Sequence, residues 1–125
     1  MASLLIVDDD ADGRDALRAY LTRVGHTVEC LPNGKEALMA IIAHPPELVI
    51  LDLFMPEMDG VNFLEVVRSY LRLQSLPVII LTGLPDSPML DRARALKVDT
   101  ILMKGKATLE EIDRAVRNEL GRVTG

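Results

Sequence analysis

Three things are scarce in this sequence: cysteine, long apolar runs and surplus positive charge. The single cysteine, Cys30, has no intramolecular disulfide partner, and its short apolar surroundings mark it as a structural thiol. No stretch approaches the ~18 consecutive apolar residues of a spanning helix, so no membrane segment is expected. The opening Met1-Ala2-Ser3 carries no basic residues, and the apolar Leu4-Leu5-Ile6-Val7 is cut off by Asp8-Asp9-Asp10. That is not the pattern of a secretory signal, and a cytoplasmic location is the expectation. A formal net charge of −5 speaks against direct nucleic-acid binding, which needs basic side chains to displace counterions from phosphates. Repeats, low-complexity tracts and linkers are missing too. The 125 residues therefore read as one domain over 1–125, with an ordered core of about 3–121, Gly121 to Gly125 reading as a frayed end or the start of something removed.

What is present is a regular alternation. With 49% hydrophobic and 26% charged residues the chain has the composition of a globular protein. Five short runs rich in Leu and β-branched residues span Leu4 to Val7, Thr27 to Leu31, Leu48 to Leu51, Val78 to Leu81 and Thr100 to Met103. Between and after them, apolar residues recur at helical spacing: Leu17, Tyr20, Leu21 and Val24; Leu38, Ile41 and Ile42; Phe63, Leu64, Val67 and Leu71; Leu90, Ala93 and Leu96; Leu109, Ile112, Val116 and Leu120. Thr108 is the expected N-cap of the last helix, with Glu110 and Glu111 in its first turn. Near-continuous apolar strands alternating with amphipathic helices predict an α/β fold, a parallel sheet covered on both faces.

In such sheets ligands bind beyond the carboxyl ends of the strands. The first run ends in Asp8 and Asp9, the third in Asp52, the fourth in Thr82 and the fifth in Lys104. Three carboxylates brought to one edge repel one another unless an oxygen-seeking cation such as Mg²⁺ joins them. Adding a hydroxyl and an ammonium gives a set suited to phosphoryl transfer, a chemistry that depends mainly on positioning and charge neutralisation. No serine or cysteine triad is visible.

The segments Val7-Asp8-Asp9-Asp10, Leu51-Asp52-Leu53-Phe54-Met55-Pro56-Glu57-Met58-Asp59-Gly60, Leu81-Thr82-Gly83 and Lys104 together resemble the receiver domain of two-component response regulators. The resemblance covers nearly the whole chain, and its middle motif is the specific part. It implies a flavodoxin-like, doubly wound five-stranded parallel sheet of order 2-1-3-4-5 with five helices. It also implies Asp52 as phosphoacceptor, Mg²⁺ (or Mn²⁺) held by Asp9, Asp52 and the carbonyl of Phe54, and Asp8 acting mainly through water. Thr82, Lys104 and the Gly83 N–H would contact the phosphoryl group. The implied donor is a phosphohistidine on a sensor histidine kinase or histidine phosphotransfer protein; the downstream target is unassigned, and a homodimer is compatible with the sequence but unsupported by it. Such a domain catalyses its own phosphorylation and dephosphorylation without being a turnover enzyme.

Several residues read more plainly. Asp10 and Asp12 suit capping and a solvated turn, Asp59 suits a turn or cap, and Met55 and Met58 suit loop packing. His26 and His44 read as exposed or capping groups, and Lys106 competes with Lys104. The chain also departs from the family pattern. Gly105 follows Lys104 where the family has a cis proline, which predicts a strained or rearranged loop. Ile101 replaces the aromatic residue three before the lysine, and Lys97-Val98 stands where Gly-Ala is common. Phe54 and Leu84 are expected to shield an acyl phosphate from water. Two alternatives stand beside this reading: a pseudo-receiver working without phosphorylation, and a phosphatase of the haloacid dehalogenase type, which usually has a second Asp where this chain has Phe54.

Overall fold

A computed structural model describes residues 2–55, 58–83 and 87–124. The elements run β1 (Ser3–Val7), α1 (Ala11–Arg23), β2 (Thr27–Leu31), α2 (Gly34–Ala43), β3 (Leu48–Leu51), α3 (Gly60–Ser69), β4 (Val78–Thr82), α4 (Pro88–Ala95), β5 (Thr100–Met103) and α5 (Leu109–Thr124), with one 3-10 turn at Leu71–Leu73. The strands pair in parallel in the order β2-β1-β3-β4-β5, the flavodoxin-like arrangement expected.

Strand periodicity explains the two cores. Side chains of a strand alternate between faces. Leu5, Val7, Val49, Leu51, Val78 and Ile80 pack on one side with Ile41, Phe63, Leu64 and Leu90 from α2, α3 and α4. Leu4, Ile6, Leu48, Ile50, Ile79 and Leu81 pack on the other with Leu17, Leu21, Ile112 and Val116 from α1 and α5. Covered on both sides, β1, β3 and β4 bury nearly every residue and need no polar alternation. The edge strand β2 instead exposes Thr27 and Glu29 while half-burying Val28 and Cys30. Burial pushes the Cys30 thiol above its ordinary pKa, in keeping with a structural role.

Helix starts are chemically marked. Asn33, Asp59 and Ser87 each accept a backbone N–H from the first turn of α2, α3 and α4. Thr108 and Glu111 form a reciprocal pair at α5: Glu111 N–H donates to Thr108 Oγ1 at 3.0 Å, and Thr108 N–H donates to Glu111 Oε1 at 2.9 Å. Asp10 departs from its expected role, since it occupies the N-cap position of α1 but its side chain makes no capping hydrogen bond.

Other expectations are corrected by where helices stop. Tyr70 adopts an extended conformation that ends α3, so Leu71 lies outside the helix and is 84% exposed, while Leu73 and Leu76 fill the core instead. Val24, the C-cap of α1, and Ile42, beside the buried Ile41, are also exposed. Helix α5 continues to Thr124, past the frayed end expected from Gly121. His44 is an exposed C-cap as expected. His26 is not exposed: its side chain is 8% accessible, and Nε2 lies 3.0 Å from Asp113 Oδ1 on α5. Arg117 also bonds Asp113, whose residue is 2% exposed. Burial works to raise the Asp113 pKa, but the His26 hydrogen bond and Arg117 outweigh it and hold the carboxyl below its ordinary value.

No cis peptide occurs among the described residues; Gly105 instead turns the chain after Lys104 with φ of 87°. The loop into β5 carries the other departure. Lys97 takes the left-handed conformation, φ 67°, where a Cβ is disfavoured, and Val98 is buried.

Candidate functional site

The strand order places the carboxyl ends of β1, β3, β4 and β5 side by side. Asp8 follows β1 and donates its N–H to Leu31 O at 3.1 Å; Asp52 follows β3 and donates to Val7 O at 3.0 Å. These ladder extensions fix both aspartates at the rim of the sheet. Asp8 and Asp52 are 5% and 6% exposed, whereas Asp9 faces solvent. Oxygen atoms from Asp8, Asp9 and Asp52 all lie within 4.8 Å of one another. Hard carboxylate oxygens at that separation suit a divalent cation such as Mg²⁺, which the charge density of three acids favours.

Lys104 reaches the same cluster. Its N–H donates to Thr82 O at 2.7 Å, holding the turn after β5 against β4. Its Nζ lies 2.8 Å from Asp8 Oδ2 and 3.3 Å from Asp52 Oδ2. Burial works to lower the Lys104 pKa, but the two carboxylates outweigh it and raise it. Asp52 is raised as well, chiefly by burial, with the Phe54 N–H and Lys104 opposing. One ammonium thus leaves the three acids incompletely neutralised. Lys106, the rival on sequence, is exposed. Thr82 is fully buried at the last position of β4, and Gly83 is exposed beside it. Phe54 is half-buried and donates its N–H to Asp52 Oδ1 at 3.2 Å. Leu84 lies outside the described residues.

The loop after Asp52 is pinned by α3. Gly60 donates its N–H to Leu53 O at 2.9 Å. A Cβ on Gly60 would stand 2.7 Å from Leu53 Cα and 3.0 Å from Asp52 O, so only glycine lets the helix approach this closely. Asp59, as expected, caps α3, accepting from Asn62 N–H at 2.9 Å. Met55 is buried in the core beneath the loop and Met58 packs against it.

Sequence reasoning overlooked Arg14. On α1, its Nη1 donates to the carbonyl of Asp8 at 2.7 Å. Among several arginines on that helix, no local signal singles it out.

A five-stranded doubly wound sheet with acids, a threonine and a lysine at its carboxyl edge defines the receiver class of signalling domains. The response regulator receiver domain model matches residues 4–117, and the chain belongs to that family. It is 37% identical over 123 residues to response regulator Rre1 of Synechocystis, covering 96% of this chain and 52% of that protein. It is 40% identical over 96 residues to the transcriptional regulatory protein KdpE of Mycobacterium tuberculosis, covering 77% of this chain and 40% of the relative. The chain thus spans about half or less of these two regulators. Among solved structures, a receiver domain of a signal transduction histidine kinase from Syntrophus aciditrophicus superposes with a TM-score of 0.88 at 28% identity, covering 98% of this chain and 92% of that one. A receiver domain protein from Methanospirillum hungatei, at 22% identity, shares the fold with a TM-score of 0.90 over 98% of this chain and 95% of that one. No helix among the described residues is long and apolar enough to cross a membrane.

Proposed function

We propose that Asp52 accepts a phosphoryl group from a phosphohistidine on a sensor histidine kinase or histidine phosphotransfer protein, with Mg²⁺ or Mn²⁺ bound, and that residues 1–125 work as one receiver domain. The observation that carries this is the buried Asp52 carboxylate lying in one oxygen cluster with Asp8 and Asp9 and 3.3 Å from Lys104 Nζ. A carboxylate oxygen of Asp52 forms the new bond to phosphorus, the P–N bond of the donor breaks, and its electron pair returns to the imidazole nitrogen. The product is an acyl phosphate, a mixed anhydride. Asp9, Asp52 and the Phe54 carbonyl would hold the metal, with Asp8 acting at one remove. The ion supplies positive charge to the phosphoryl oxygens. Lys104 exchanges its carboxylate contacts for a phosphoryl oxygen, and the Thr82 hydroxyl and Gly83 N–H donate to the others. Because the group stays on Asp52 until water removes it, the domain records a signal rather than turning over a substrate.

Intact-mass measurement after incubation with acetyl phosphate and Mg²⁺ tests this. The wild type should gain one phosphoryl mass, and Asp52→Ala should gain none. An unmodified wild type would overturn the proposal in favour of a module that works without phosphorylation.

A further inference from the structure

Asp9 is the exposed member of the acidic cluster, and its place depends on the backbone of residues 8–10. That backbone is held from several sides. Asp8 N–H bonds Leu31 O at 3.1 Å, Asp10 N–H bonds Asp8 Oδ1 at 2.9 Å, and Arg14 N–H bonds Asp10 O at 3.0 Å. The side chain of Arg14, partly buried on α1, closes the loop by donating from Nη1 to Asp8 O at 2.7 Å. A guanidinium in contact with the main chain of the acidic segment brings positive charge near the cation's place, which by charge alone is unfavourable to a divalent cation.

We infer that Arg14 is a positioning residue for the metal site: by gripping the Asp8 carbonyl it sets the Asp8-Asp9 peptide, and this outweighs the repulsion its charge exerts on the cation. The inference rests on the metal-assisted reading of the site. It makes the two effects of one side chain opposite in sign, so they separate experimentally. Removing charge alone tightens cation binding; removing the grip loosens it.

Mn²⁺ affinity measured by electron paramagnetic resonance, without phosphodonor, is the test, run on wild type, Arg14→Met, Arg14→Lys and Arg18→Met. Arg18 is exposed one turn further along α1 and serves as the charge control. Arg14→Met should bind about threefold to tenfold more weakly, less than the roughly 10–100-fold loss typical when a group supporting a ligand is removed, because the lost positive charge works the other way. Arg14→Lys, which keeps a donor and the charge, should recover most of that loss. Arg18→Met should bind equally or more tightly. In the metal-free protein, NMR order parameters of the Asp9 and Asp10 amides should fall in Arg14→Met alone. Equal or tighter binding by Arg14→Met overturns the inference; should that variant not fold, Arg14→Gln, too short to span the same distance, is held to the same criterion. Failure of the wild type to bind Mn²⁺, or binding indifferent to Asp9→Asn, overturns the metal-assisted reading and this inference with it.

Discussion

Alanine at Gly60 sets two known effects against each other. In a helix interior, replacing glycine by alanine ordinarily stabilises by about 0.5–1 kcal/mol, because the unfolded chain loses freedom and the helix gains a better former; at Gly60, the first residue of α3, that gain is smaller. At Gly60 the new Cβ would sit 2.7 Å from Leu53 Cα, 2.8 Å from Leu53 Cδ2 and 3.0 Å from Asp52 O. Ordinary carbon contacts begin near ~3.5 Å, and two of these three atoms are backbone, which no rotamer change can move. Overpacking of this kind costs about 1–3 kcal/mol, so the net effect should be destabilisation by about 1–2 kcal/mol. Gly121 on α5 is the internal control, since its Cβ would meet nothing within 4 Å. Gly121→Ala should stabilise by up to about 0.5 kcal/mol, less than mid-helix because it lies in the final turns. Urea titration of the three proteins, with the slope unchanged, measures both values. Relief of the clash must push the Leu53 and Asp52 backbone, so Gly60→Ala should also gain phosphate more slowly from acetyl phosphate. A Gly60→Ala protein as stable as the wild type would refute the close-approach argument.

Further substitutions probe other parts of the molecule. Asp113→Asn weakens a buried pair and should cost about 1–3 kcal/mol at neutral pH. Because the folded-state pKa of Asp113 lies below its ordinary 3.8, its contribution is present above that value and lost as pH falls through the lowered one. The stability gap between wild type and Asp113→Asn, read from urea titrations, should therefore narrow below about pH 4. Lys97→Gly should stabilise by about 0.5 kcal/mol, the ~1–2 kcal/mol strain of a left-handed lysine less the entropy glycine adds to the unfolded chain; a lower urea midpoint would contradict this. Phe54→Asn should shorten the acyl phosphate lifetime several-fold, because a half-buried apolar side chain two residues after Asp52 gives way to a group that admits water. Unchanged decay after removal of acetyl phosphate would dismiss the ring as a shield.

Strands and topology were legible because β1, β3 and β4 are buried on both faces and so appear as uninterrupted apolar runs. Asp8, Asp52, Thr82 and Lys104 were legible because parallel strands bring their carboxyl ends to one edge. What escaped depended on long-range contacts. His26 looks like a turn residue from its neighbours; only Asp113, 87 positions away, explains its burial. Leu71 continues the spacing of α3, but Tyr70 takes an extended backbone, so the period carries on past the helix that produced it. Arg14 acts on a carbonyl, and a main-chain partner leaves no trace in side-chain patterns.

Arg68 near the end of α3 adds a polar tie between segments that already meet in the core and through the Arg92–Glu65 ion pair. Its guanidinium donates to the carbonyls of Leu73 at 3.1 Å, Leu76 at 2.8 Å and Leu96 at 2.9 Å. Those acceptors belong to the 3-10 turn, the lead-in to β4 and the C-cap of α4. Partial opening of any one of them strands a donor of the same half-buried cation, whose burial already presses its pKa down. α3, the 3-10 turn and α4 should therefore open together, their amide protons exchanging with solvent as a block instead of helix by helix.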